Sequence, residues 1–372
     1  MATKQQHVVM FYPYVSERAI QTVAGVLRDR WIGQGTLVDK FEQAVGSKFG
    51  IPHCVAVNVN SAALRLALAL AGVRPGDEVI TTAMACTATN HPILEQFAIP
   101  VFADIQPLTG NIDPSDIEHR VTDKTRAIVC YDWSGYPCDL HELGVVARTH
   151  NLALIEDASE SFGAVYHKQA IGSIAQYTVF SFQAINILTT GEGGMLCVLD
   201  ETTAKRAGVK RWYGIDRKTR KPNAVGYYDF EIADVGYGYH MTNIAAAIGL
   251  AHLEQVDALL RRRADIAGRY RRELQGISGV RLFEQATEIS SANHCFPLHV
   301  ENRTGFCEAM RQRGVETSIV HARNDQYAVF GGLRADLPML DQFNKTYIAI
   351  PNHSMLTDEQ VGHVIEGIRK GW

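Results

Sequence analysis

No apolar run in the 372-residue chain is long enough to cross a bilayer; the longest, near Leu64–Val73, is broken by Arg65. The opening stretch MATKQQHVVM carries no hydrophobic signal core. Cysteine is sparse and scattered. The seven residues (54, 86, 130, 138, 197, 295 and 307) are odd in number and form no CxxC pair. That argues against a disulfide framework and against a zinc or iron–sulfur site built on local spacing, so no metal is expected. Charge of one sign is lacking too: 36 Lys and Arg stand against 40 Asp and Glu, a net of −4. Such a balance gives no electrostatic reason for nucleic acid or an anionic membrane as partner. Repeats and low-complexity segments are absent. What these absences leave is a cytoplasmic protein of enzyme size.

Core material is plentiful, with 46% apolar and 20% charged residues, and the length corresponds to two or three domains at about 150 residues each. Short β-rich runs fall at 54–59, 78–82, 100–104, 126–132, 152–156, 177–182 and 194–199. Several are apolar on both faces, as strands covered from both sides are. Helical patterns alternate with them at 61–71, 90–96, 114–120 and 140–150. This alternation predicts an α/β fold with a mostly parallel seven-stranded sheet flanked by helices, occupying residues 11–255. One long helix is expected over Thr242–Leu274. A smaller C-terminal α+β domain, residues 256–372, has short strands at 280–283, 295–300 and 316–320. Eight Lys and Arg crowd residues 205–221; a solvated helix face and loop is the reading preferred to a binding patch.

Ligands of doubly wound sheets sit at the carboxyl ends of strands, and three segments put polar residues there. In Val57-Asn58-Val59-Asn60-Ser61-Ala62 a strand ends and an Ala/Leu-rich helix begins. Free N–H groups and the Ser61 hydroxyl there suit a phosphate; an ordinary N-cap is the alternative. In Ile155-Glu156-Asp157-Ala158-Ser159-Glu160 a strand runs into consecutive carboxylates. One of them is expected to meet a cationic group, for which a protonated heterocyclic nitrogen serves; a simple cap by Asp157 is the alternative. Phe180-Ser181-Phe182 leads through Asn186 to Thr189-Thr190-Gly191-Glu192-Gly193-Gly194, where the glycines predict a hairpin turn and not a nucleotide loop.

Taken in order, NSAALRLAL, PGDEVITT, IEDASESFGA and FSFQA followed by TTGEGG resemble the DegT/DnrJ/EryC1/StrS sugar aminotransferases. The likeness spans residues 11–255 and continues more weakly beyond. It implies fold type I, a homodimer, pyridoxal 5′-phosphate or pyridoxamine 5′-phosphate as cofactor, and amino transfer from L-glutamate to a keto-sugar, nucleotide-linked, in amino-sugar and surface polysaccharide synthesis. Carried over by residue, Asp157 faces the pyridine nitrogen and keeps it protonated. Glu160 lies beside the cofactor, and Asn60, Ser61 and Ser181 match phosphate-binding positions. Cys86 falls near a place where relatives stack an aromatic ring, with a buried structural thiol as the alternative. His321 and Arg323 are assigned to substrate; a surface charge is the alternative for Arg323.

The decisive departure is Asn186. At this place the resembled enzymes carry the lysine that binds the cofactor covalently and moves protons, and an amide does neither. Gly238 and His240 stand where relatives have Asn and Arg, which removes a side chain that reaches the neighbouring subunit's phosphate. The leading expectation is an aminotransferase scaffold without its lysine. A pyridoxamine-phosphate-dependent sugar 3-dehydratase and a non-catalytic cofactor-binding relative are the alternatives.

Overall fold

The computed structural model describes residues 7–372; residues 1–6, part of the stretch read for a signal core, lie outside it. The helices α1 (Glu17–Asp29) and α2 (Thr36–Phe49) precede β1 (His53–Val57), α3 (Asn60–Leu70), β2 (Glu78–Thr82), α4 (Thr87–Glu95) and β3 (Ile99–Ala103). Next come α5 (Pro114–Arg120), β4 (Thr125–Tyr131), α6 (Leu140–Thr149), β5 (Ala153–Asp157), β6 (Tyr177–Ser181) and β7 (Gly194–Val198). The seven strands form one sheet in the order β1-β7-β6-β5-β4-β2-β3. Only β7 runs against the others, pairing antiparallel with both β1 and β6. All seven lie within a residue or so of the runs read from the sequence.

Period-two alternation divides the core. Ile80, Ile128 and Phe180 face one apolar layer, while Val79, Val129 and Val179 face the other. Helix α3 belongs to the second layer; its Ala and Leu residues are strong helix formers, and most of its circumference is buried.

After α7 (Glu201–Lys210) the chain makes an arm, then α8 (Asn243–Leu253) and α9 (Val256–Leu274). The single helix expected over Thr242–Leu274 is therefore two. Its pattern changes at the break: α8 is buried round most of its surface, whereas α9 buries only a stripe including Ile266, Tyr270 and Leu274. That stripe packs on β8 (Val280–Leu282), β9 (Phe296–Val300), α10 (Arg303–Gln312), β10 (Tyr347–Ile350) and α12 (Asp358–Arg369); α11 (Pro338–Thr346) packs nearer the large sheet. The strand expected at 316–320 is reduced to isolated bridges, Val8 to Val315 and Ser318 to Ala349. The basic stretch is only partly solvated. Arg211 is buried, donating to Glu42 and the Ala56 carbonyl, and Lys210 pairs with Asp234. Among the described residues no helix is long and apolar enough to span a membrane.

Gly194 fixes the junction that matters for the site. A Cβ there would lie 2.8 Å from the Asn60 backbone and from the Val59 carbonyl carbon. Gly194→Ala is therefore expected to push the start of α3 aside and to cost about 1–3 kcal/mol in urea unfolding. Gly208→Ala, in α7 with open space around it, is expected to be neutral or to stabilise by up to about 1 kcal/mol.

Candidate active site

The parallel strands share one carboxyl edge, and Asn60, Ser61, Cys86, Asp157, Glu160 and Ser181 lie along it because each stands at or just after a strand end. Asp157 closes β5 and is 1% exposed. Its Oδ2 accepts from Thr89 Oγ1 at 2.7 Å. Its Oδ1 accepts from the Ser159 N–H at 3.2 Å, the Ser159 hydroxyl, and Asn60 Nδ2 at 3.4 Å. All of these donors are neutral. Burial pushes the Asp157 carboxyl above its ordinary range, opposed by the hydrogen bonds from Ser159, Thr89 and Asn60.

The neighbouring Glu156 points to the opposite face of the sheet, as alternation requires. There Thr178 donates to it at 2.8 Å, and burial together with Asp132 holds its carboxyl well above the ordinary range. Burial likewise raises Asp132, to about 6. This pair is relieved by retaining a proton. Asp157 is left as the carboxylate with no cation from its own chain, among the described residues. A protonated ring nitrogen is the group such an environment accommodates.

Three residues on, Glu160 is buried and accepts from the Ser134 N–H at 2.7 Å and from His321 Nε2 at 3.1 Å. His294 Nε2 lies 3.6 Å away. Burial alone would raise the Glu160 carboxyl, but His294, His321 and Tyr131 outweigh it and hold it below its ordinary range. His294 itself is depressed to about 4 by burial. Cys86, half-buried at the N-cap of α4, completes the cluster: burial raises its thiol, and the charges of Asp157 and Glu160 raise it further.

Neither Asn60 nor Ser61 caps α3. Val59 holds the N-cap position with no side-chain bond, and the Asn60 amide is spent on Asp157 and on Ser159 Oγ at 2.7 Å. The Asn60 side chain thus orients Asp157. Among the described residues the Ser61 hydroxyl has no partner. An uncapped helix start with a free hydroxyl is the cradle a phosphate needs. Ser181, at the end of β6, is buried, and its hydroxyl accepts from the Gln183 N–H at 3.3 Å.

β6 and β7 do pair as a hairpin, with Ser181 opposite Gly194, but the connection is the twelve-residue loop 182–193 and not a tight turn. Asn186 sits in this loop. Its Nδ2 donates to the Ser181 carbonyl at 3.1 Å and its N–H to the Gln183 carbonyl at 3.0 Å. Arg323 stands apart from the cluster. It is 5% exposed, with Nε and Nη2 each 2.6 Å from Asp325 and Nη1 on Asp341. Three of its five N–H donors are thereby held by carboxylates, and its burial sets aside the surface-charge alternative read from the sequence. The Asn324 amide joins this loop to the end of β2, donating to the Ala85 carbonyl at 2.7 Å and accepting from Asn90 at 2.8 Å. The sequence reading passed over Thr89, Ser159, Ser134 and His294. Ser159, two residues after Asp157, had a signal in the local side-chain-to-backbone turn; the others reach the site only through the fold.

Comparison with known proteins agrees with this geometry. Residues 13–369 match the model of the DegT/DnrJ/EryC1/StrS aminotransferase family. The chain is 33% identical over 348 residues to the GDP-perosamine synthase of Caulobacter vibrioides, covering 91% of each. Among solved structures it resembles the sugar aminotransferase CalS13 of Micromonospora echinospora, with a TM-score of 0.92, 36% identity and coverage of 98% of this chain and 99% of that one. It also resembles the PLP form of the Streptococcus pneumoniae protein Spr1654, described as a sugar aminotransferase, with a TM-score of 0.91, 27% identity and 98% coverage of each chain.

Because Asp157 has a raised pKa in the folded state, its contribution to stability is complete below the unfolded value and is lost as pH rises through the folded one. Asp157→Asn is therefore expected to match or exceed the parent's urea midpoint at about pH 8, the difference shrinking toward pH 4. A variant several kcal/mol less stable at pH 8 would show that the carboxylate serves the fold and awaits no cation.

Proposed function

The chain belongs to the DegT/DnrJ/EryC1/StrS aminotransferase family, whose members depend on pyridoxal phosphate, and from that premise we propose that it is a sugar aminotransferase scaffold without its lysine. Its substrates are L-glutamate and a nucleotide-linked keto-sugar, and its cofactor is pyridoxal 5′-phosphate or the pyridoxamine form. One observation carries the reading: a fully buried Asp157 surrounded by neutral donors at the carboxyl edge of the sheet. When bound, the cofactor's protonated ring accepts the electrons released as a C–H bond breaks beside it. Asp157 holds the proton on that ring nitrogen, and Asn60, Ser159 and Thr89 hold Asp157. Ser61, the uncapped start of α3 and Ser181 take the phosphate. Glu160 and His321 form a hydrogen-bonded pair on the same edge, suited to a sugar hydroxyl. Asn186 supplies neither a covalent anchor nor a proton carrier, since an amide has no basic lone pair and this one donates to the Ser181 carbonyl.

Pyridoxal phosphate is accordingly expected to bind without covalent attachment, so that borohydride leaves no adduct on the chain. Asp157→Ala is expected to weaken binding in an absorbance titration. Asn186→Lys is expected to permit borohydride fixation at residue 186 and to raise glutamate-dependent amino transfer by about two to four orders of magnitude. Ordinary turnover by the unaltered chain, on the order of 1–1000 per second, would overturn the proposal. Ammonia and a deoxy-sugar as products would indicate a 3-dehydratase. Cofactor bound with a spectrum indifferent to keto-sugars would indicate a non-catalytic relative.

A second copy of this chain is the proposed partner. The arm at 213–235 presents Val225 at 87% exposure, Val235 at 70% and Tyr227 at 61%, a run of apolar surface that monomers seldom leave open. Sedimentation is expected to give a homodimer that Val235→Asp shifts toward monomer.

A further inference from the structure

Away from the candidate site, two cysteines face each other across the edge of the large sheet. Cys54 of β1 and Cys197 of β7 are direct partners in the antiparallel register. Their sulfurs are 3.8 Å apart, and opposed antiparallel residues have Cα atoms about 4.5–5.5 Å apart, inside the span a disulfide bridges. Closing the bond requires each sulfur to move by about 1 Å or less.

Access differs between the two. Cys197 is buried, whereas Cys54 is half-buried and lines a cavity of ≈ 1360 Å³. Gly46 of α2 lies on the same cavity wall, and even a Cβ added to it would end 3.7 Å from the Cys54 sulfur. A side chain at position 46 would touch that sulfur, and glycine leaves this space open. Cys130 and Cys138, by contrast, are both buried and neither borders this cavity.

We propose that Cys54 and Cys197 form a redox modification site, in which a hydroperoxide entering the cavity converts the two thiols into a cross-strand disulfide. Cys54 sulfur attacks the peroxide oxygen, the O–O bond breaks, and the first product is Cys54 sulfenic acid with one water or alcohol. Cys197 sulfur then displaces the sulfenic oxygen, which leaves as a second water while the S–S bond forms. Two thiols lose two electrons and two protons; the hydroperoxide takes up both. Burial and the adjacent Cys54 raise the Cys197 thiol, in keeping with Cys54 as the residue that reacts first. The product joins an edge strand to its one sheet neighbour and closes a loop between positions 143 residues apart.

The test is treatment of the whole protein with about 1 mM hydrogen peroxide, followed by peptide mapping without reductant and a thiol count after denaturation. Of the seven thiols, two are expected to disappear, with a Cys54–Cys197 linked peptide in the map. The Tm is expected to rise by several degrees, and dithiothreitol reverses both changes. Cys54→Ser and Cys54→Ala are expected to give neither the linked peptide nor the Tm rise. Seven thiols surviving, or Cys54 oxidised to sulfinic acid with Cys197 still free, would overturn the proposal.

Discussion

A carboxylate removed from water with no positive charge beside it is costly, and the large domain of this protein is arranged to keep one in that condition. Asp157 lies where β5, α3 and α4 converge, and each element supplies a neutral donor to it. These bonds orient the carboxylate and offset part of its desolvation while leaving its charge uncompensated. The packing of Gly194 against Asn60 sets the position of α3, and through it the Asn60 amide that touches Asp157. The sheet, the helix start and the acid thus form one mechanical unit.

Much of this was legible in the sequence because it follows from short-range rules. All seven strands were read correctly from apolar runs, since strands covered on both faces leave little ambiguity once helices alternate with them. Asp157, Glu160, Ser61 and Ser181 were singled out from three segments at strand ends, where doubly wound sheets place ligands, and from the family resemblance those segments carry. The failures have physical causes. Thr242–Leu274 was read as one helix because its apolar periodicity carries through the bend, while the change from an all-round buried helix to an amphipathic one reflects the two different cores it meets. The surface-charge alternative for Arg323 failed because Asp325 and Asp341, which pair with it, bury it only when the loop and α11 are in place. Thr89 and His294 reach the site from distant segments with no local signature.

The carboxyl edge of the sheet thus holds a buried acid among neutral donors, and beside it an asparagine whose amide is tied to its own loop. Asp157 rests on the sheet edge and Asn186 on the loop 182–193, so the two are set by separate parts of the chain.

That separation originates in the direction of β7. Because this strand returns antiparallel to β6, the chain leaves the sheet at Ser181 and re-enters at the facing Gly194, with no crossover helix between. The ladder fixes both ends of the excursion whatever lies at its tip. Phe182, Ile187 and Leu188 pin the excursion into the apolar core, while residues 183–186 stand half-buried between them.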